Sequence, residues 1–251
     1  MSYNLFISKS GEIVEMIIKV KRNDYLSEFE IEIQEKRTTI LEVLDYIKNY
    51  LDPSLSYRSQ CRSSICGTCA VKVNGKPVLA CKTKALDLAE NNTLQIEPVD
   101  NMAIIKDLVV DQDEYLNKLK KAKAWLEPKD NFEKVYPEDL YSFEKETDCI
   151  LCGICYSVCP AFQNDKNFGG PINFVKIFRF WKDKNDALGD IRIEIAKENN
   201  ITSCIHCKYC TFSCPKEIPV ESDIMQIEFF GKQKGIIQSQ DNFGFGFNFG
   251  F

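Results

Sequence analysis

Twelve cysteines fall in three compact groups: Cys61, Cys66, Cys69 and Cys81; Cys149, Cys152, Cys155 and Cys159; and Cys204, Cys207, Cys210 and Cys214. A disulfide framework would scatter its cysteines to close loops and would go with an export signal. Thiols gathered on short turns point instead to metal–sulfur chemistry. The chain has a single histidine, His206, so its metal donors are thiolates and histidine acid–base catalysis is nearly excluded.

Spacing separates the groups into two kinds. Cys61-x4-Cys66-x2-Cys69 with a distant Cys81 is the plant-type arrangement for a binuclear [2Fe-2S] cluster. Gly67, beside the ligands, suits a backbone that wraps closely and aims its N–H groups inward. A zinc site can also use four thiolates, but its turns normally come as two CxxC pairs. Cys149-x2-Cys152-x2-Cys155-x3-Cys159-Pro160 and Cys204-x2-Cys207-x2-Cys210-x3-Cys214-Pro215 are two full bacterial ferredoxin runs, in which the fourth cysteine of each run ligates the other cluster. One [4Fe-4S] cluster is therefore expected on Cys149, Cys152, Cys155 and Cys214, and a second on Cys159, Cys204, Cys207 and Cys210. Three cysteines on one short turn cap one side of each cubane, and the departing helix carries the fourth thiolate to its neighbour.

Little else in the sequence suggests catalysis. No Gly-rich fingerprint follows a strand and opens a helix, so no dinucleotide site is visible. Glu144 and Glu146 lie in a polar stretch and read as a solvated face. His206 reads as a surface group, or a support for the neighbouring cluster, rather than a proton-transfer residue. A net charge of -5 argues against nucleic acid, whose phosphates call for excess cations. No stretch approaches the roughly 20 apolar residues of a membrane span, and Met1 to Glu15 shows no secretory signal.

The elements that must position the cysteines differ along the chain. Ile18 and Val20, then Phe29, Ile31 and Ile33, alternate with charged residues and predict strands. Ile40, Leu44, Ile47 and Leu51 share a helical face. Asn74-Gly75 between two apolar runs predicts a hairpin, and Leu94, Ile96 and Pro98 suggest a closing strand. Beyond about residue 110 the period is helical. Leu116, Leu119 and Leu126 fit one face, with Lys118, Lys120, Lys121 and Lys123 largely solvated. Val175, Phe178 and Trp181 fit another after Pro171, and Val220, Ile224 and Ile227 a third after Pro219. The organisation expected is an N-terminal extension (1–15), a mixed α+β [2Fe-2S] domain (16–108), a helical domain with two [4Fe-4S] clusters (109–242), and a Phe/Gly tail (243–251).

In order and spacing, residues 16–235 resemble the iron–sulfur subunit of succinate dehydrogenase and fumarate reductase. Arg58-Ser59-x-Cys61-Arg62, Cys66-Gly67-Thr68-Cys69-Ala70 and Phe168-x-Gly170-Pro171 carry the likeness. It implies a β-grasp plant-type ferredoxin domain followed by an all-α bacterial two-cluster ferredoxin-like domain. It also implies electron relay between an FAD-containing flavoprotein, where succinate and fumarate interconvert, and a quinone-reacting membrane-side subunit, with no substrate active site on this chain. Common members have a trinuclear third centre because an aliphatic residue stands at the position of Cys207. They also place a tryptophan after the proline matching Pro160, where this chain has Ala161, Phe162, Gln163 and Asn164. The chain thus resembles the subgroup with a [4Fe-4S] third cluster and a cysteine-rich third subunit, as in methylmenaquinol:fumarate reductase-like complexes. A [3Fe-4S] third cluster is the lesser alternative.

The expectation is a fumarate reductase subunit using (methyl)menaquinol, in a peripheral complex at the inner membrane. The alternatives are the succinate-oxidising direction, a glycerol-3-phosphate or thiol-dependent branch, and a free-standing polyferredoxin. The cytoplasmic face is the default, with the periplasmic face reached by co-export alongside a twin-arginine flavoprotein. Phe243, Phe245, Phe247, Phe249 and Phe251 alternate with Gly and Asn, and read either as a frayed end or as an extended segment presenting one aromatic face to a partner.

Overall fold

A computed structural model describes residues 3–5, 13–33 and 36–238. The tail, and with it the expectation for its phenylalanines, lies outside the described residues. The N-terminal half is a mixed sheet of β1 (Tyr3–Leu5), β2 (Val14–Lys21), β3 (Leu26–Ile33), β4 (Ala70–Val73), β5 (Lys76–Leu79) and β6 (Thr93–Glu97), in the order β1-β3-β2-β6-β4-β5. Thus β2 begins two residues inside the expected extension, and Tyr3–Leu5 pairs in parallel with β3. Alternation puts Ile18, Val20, Ile31 and Ile33 on the buried face. They meet Ile40 and Leu44 of α1 (Ile40–Tyr46) and Ile47 of the π-helical turn that continues it. Thr39 and Glu42 close a capping box at the start of α1.

The hairpin turns on Asn74 and Gly75, both left-handed at φ 45° and 76°, as a type I′ turn requires. The Asn74 side chain donates to the Leu88 and Thr93 carbonyls and accepts from the Gln95 amide, tying the turn to β6. After a short helix α2 (Ala85–Leu88), β6 and a small ribbon of β7 (Ile104–Lys106) and β8 (Val109–Val110), the chain becomes helical.

Its helices are α3 (Asp113–Lys121), α4 (Pro137–Leu140), α5 (Glu144–Thr147), α6 (Ile154–Ser157), α7 (Ala161–Asn164), α8 (Pro171–Trp181), α9 (Ile191–Glu198), α10 (Tyr209–Phe212) and α11 (Val220–Gln233). The predicted faces of α8 and α11 are buried, through Val175, Phe178, Val220, Ile224 and Ile227. The face of α3 is rotated from expectation. Tyr115, Leu119 and Ala122 are buried, Leu116 is exposed and Leu126 lies beyond the helix, because the ring of Tyr115 packs 5.8 Å from that of Tyr156. Lys118 turns inward with it and is not solvated, its side chain being 13% exposed. Glu146 is buried as well, against the reading of a solvated face, since α5 packs on α8 beside Asp223 of α11.

The two halves share material. Ile154, with Ile150 and Cys152 against it, belongs to the N-terminal core, so the first ferredoxin run is built into both.

Candidate metal centres

The loop from Cys61 to Cys69 curls its own amides onto its sulfurs. Cys61 Sγ accepts from the amides of Ser63, Ile65 and Cys66 at 3.4, 3.3 and 3.2 Å, and Cys81 Sγ from Ser64 at 3.3 Å. Arg62, Ser64 and Gly67 adopt positive φ to make this possible. The three amides, Ser63 first, draw the half-buried Cys61 thiol down to about 6. Cys69 is buried, and burial pushes it up to about 12, with Cys81 and Cys66 close enough to add to the rise.

A chain of ion pairs positions the loop. Arg22, 4% exposed, donates from Nε to Asp107 at 2.9 Å, from Nη1 to Asp52 at 2.5 Å and from Nη2 to Ser54. The second Asp107 oxygen accepts from the Ser56 amide at 2.9 Å, at the point where the chain enters the cysteine loop.

In the helical half the two runs have the same backbone, offset by 55 residues. Leu151 and Gly153 (φ 54° and 75°) match His206 and Lys208 (φ 51° and 64°), and α6 matches α10. The Leu151 amide points at the Cys149 sulfur and the His206 amide at that of Cys204. In both runs the residue whose amide points at the first sulfur is itself left-handed.

The fourth cysteines cross over. Cys149, Cys152, Cys155 and Cys214 line one cavity, closed by Ile172, Val175, Ile218 and Val220. Cys159, Cys207 and Cys204 act electrostatically on Cys210, and so form the other set. Burial pushes Cys152, Cys204 and Cys210 up to about 12 and Cys159 up to about 11. Cys155 is pushed up further by loss of solvation and also feels Cys210 of the other set.

This donor chemistry fits iron–sulfur clusters: four thiols around a dry space, with amides aimed at the sulfurs. Among the described residues no three Cys, His, Asp or Glu side chains gather closely enough to hold a single metal ion.

The sites are in contact. A Cβ on Gly67 would lie 2.7 Å from the Ile150 carbonyl oxygen and 2.9 Å from Cys152 Cα, so the first loop sits directly on the first ferredoxin run. Around the second run the surface is apolar, with Ile205, Tyr209, Phe212 and Phe229 more than half exposed. His206 lies between two carboxylates, Nδ1 at 3.1 Å from Glu221 and Nε2 at 3.4 Å from Glu228.

Several site residues had no legible signal. Asn101 donates to the carbonyls of Tyr156, Ser157 and Cys159, capping the helix that leads to Cys159 from the other half of the molecule. Lys176 donates to the Cys149 carbonyl at 3.3 Å. Only tertiary packing brings these groups to the cysteines.

A family model described as a 2Fe-2S iron-sulfur cluster binding domain matches residues 13–117, and one described as a 4Fe-4S dicluster domain matches residues 146–218. The chain is 36% identical to the 8-methylmenaquinol:fumarate reductase iron-sulfur subunit of Wolinella succinogenes, over 79% of this chain and 65% of that one. It is 33% identical to the fumarate reductase iron-sulfur subunit of Haemophilus influenzae, over 86% of this chain and 90% of that one. In fold it is similar to a chain of the Mycobacterium smegmatis Sdh1 complex in the apo form, with a TM-score of 0.83 at 21% identity, covering 91% of this chain and all of that one.

Proposed function

The chain belongs to the iron–sulfur subunits of fumarate reductase and succinate dehydrogenase, and we propose that it relays electrons between an FAD-containing flavoprotein and a membrane-side subunit of such a complex. The supporting observation is the gathering of twelve cysteines into three sets in contact, with Gly67 against Cys152 and Cys155 within electrostatic reach of Cys210. Cys61, Cys66, Cys69 and Cys81 would hold a [2Fe-2S] cluster on a plant-type ferredoxin domain. Cys149, Cys152, Cys155 and Cys214, and Cys159, Cys204, Cys207 and Cys210, would hold two [4Fe-4S] clusters on a bacterial-type domain. Bound clusters supply one-electron redox chemistry.

The residues of the chain do the rest. Amides of Ser63, Ile65 and Cys66 hold Cys61 as thiolate at neutral pH. In the helical half, buried thiols release their protons as iron binds, and the apolar walls of Ile172, Val175 and Ile218 exclude water.

The finer reading is a fumarate reductase using a methylated menaquinol, favoured by the Wolinella relative and by Cys207. The apolar surface around Tyr209 and Phe212 would be covered by the membrane-side subunit, cysteine-rich or quinone-reacting, since exposed patches of this kind mark interaction sites. Among the described residues no helix is long and apolar enough to cross a membrane, which suits peripheral attachment.

Purification from cells tests the reading. A stable complex with a flavin-containing protein and paired succinate and fumarate activities is the expected result, and a free chain with no flavoprotein would favour a polyferredoxin. Anaerobically oxidised protein should lack a trinuclear EPR signal, and Cys207→Val should create one. A stoichiometric trinuclear signal in the wild type would remove the four-thiolate assignment of the third centre.

A further inference from the structure

A cluster held by four thiolates is anionic, and reduction adds a further negative charge. In a water-poor cavity that charge is costly unless a fixed cation stands nearby. Among the described residues burial holds three lysines below the usual lysine range: Lys118, Lys176 and Lys182. Lys182 stacks on Trp181, 4.1 Å from the ring centroid. The other two stand at the two buried cysteine sets.

Lys176, from α8, reaches the Cys149 carbonyl at 3.3 Å, and its charge acts on Cys149. Lys118, from α3, is pinned by the carbonyls of Lys166 at 3.1 Å and Phe168 at 2.9 Å. Its ammonium lies 4.5 Å from the Phe162 ring centroid and 5.5 Å from that of Tyr156, the aromatics on either side of Cys159 in the chain. Its charge acts on Cys159.

The two surroundings are not alike. Lys176 has a second cation, Arg179, nearby, whose like charge helps hold the lysine below its usual range. Lys118 has Glu114 at 3.5 Å, and the negative charge of Glu228 acts on Cys204 in the same set. The second set is the more weakly compensated.

We propose that Lys176 and Lys118 are fixed counter-charges, one for each buried cysteine set, and that each raises the reduction potential of the centre its own set holds. The proposal rests on the reading that these sets hold clusters. One electron passes from the reductant to the iron, no bond forms or breaks, and each lysine keeps its proton throughout.

Potentiometric titration with dithionite, followed by EPR on the full chain in its purified complex, tests it. Lys176→Met should lower the midpoint of the first cubane centre by about tenfold in its one-electron equilibrium, or ~59 mV, and leave the other two centres in place. Lys118→Met should do the same to the second centre only, while Lys176→Arg and Lys118→Arg stay near wild type. Glu114→Gln, which removes the opposing charge without touching Lys118, should shift the second centre positive and decides the matter if Lys118→Met fails to fold. Iron and sulfide are counted alongside. A wild-type chain without them defeats the cluster reading itself. Loaded variants whose potentials stay still, or all move together, overturn the counter-charge role.

Discussion

Cys61 is half-buried with three amides 3.2–3.4 Å from its sulfur, and its thiol is drawn down to about 6. Cys152 lies under apolar walls in the helical half, and burial pushes its thiol up to about 12. The first loop stabilises negative charge with its own backbone, which a short segment with left-handed residues supplies locally. The buried sets also receive local amides, Leu151 at Cys149 and His206 at Cys204, but they lose most solvation, and lysines brought from elsewhere in the fold add to what the backbone supplies. One site should therefore be sensitive to the shape of its loop, and the others to distant side chains.

The largest effect should come from breaking the support of the loop. Arg22→Met leaves Asp107 buried and uncompensated, and breaking a buried pair in this way costs about 3 kcal/mol. Because Asp107 holds the Ser56 amide, the loss should fall first on the loop. Denaturant unfolding followed by visible circular dichroism should show the binuclear signal lost while the signals of the helical half persist. Simultaneous loss of all signals would mean that the two kinds of site are one cooperative unit.

Gly67→Ala tests the contact between the regions. Gly67 is left-handed at φ 72°, and a methyl group would meet the Ile150 carbonyl oxygen at 2.7 Å. Left-handed strain with that overlap should cost about 2 kcal/mol. Freeze-quench kinetics should show slower electron transfer from the loop to the helical half at unchanged potentials.

Asn101→Ala acts on the helical side alone. Three carbonyls before and at Cys159 lose their shared donor, at a cost of about 1–2 kcal/mol. The centre that includes Cys159 should become the most oxygen-labile, while the set with Cys214 is retained. Iron release on air exposure, followed by EPR, measures this.

The contrast also explains what could be read from sequence. Strand alternation at Ile18–Val20 and Ile31–Ile33, the Asn74-Gly75 turn and the helix starts at Pro171 and Val220 are local signals, and the structure has them all. The cysteine groups were legible because metal–sulfur loops draw their ligands from a few adjacent residues. Lys118 and Glu146 depart from the solvated faces expected of them because a charged residue on a mostly polar helix carries no local sign of being turned inward. What buries Lys118 is the aromatic packing of Tyr115, Tyr156 and Phe162, and what buries Glu146 is the meeting of α5, α8 and α11, both set by tertiary packing. Asn101 was invisible for the same reason.

The smallest effect tests how dry the helical interior is. Asp223, 1% exposed, is raised to about 9, first by burial and then by the charge of Glu146, itself raised by burial. At neutral pH the folded chain keeps the Asp223 proton, whereas an unfolded aspartate has released it above roughly 3.9. The contribution to stability is therefore full below that value and is lost as pH rises toward about 9. Asp223→Asn copies the protonated form and has no proton to lose. Between pH 5 and 8, below the range in which ordinary thiols ionise, the wild-type melting temperature should fall with rising pH and the variant should fall less. The two should be closest at pH 5. Equal slopes would mean that water reaches Asp223, and an interior that wet would no longer hold the thiols of Cys152 and Cys155 so far above that of Cys61.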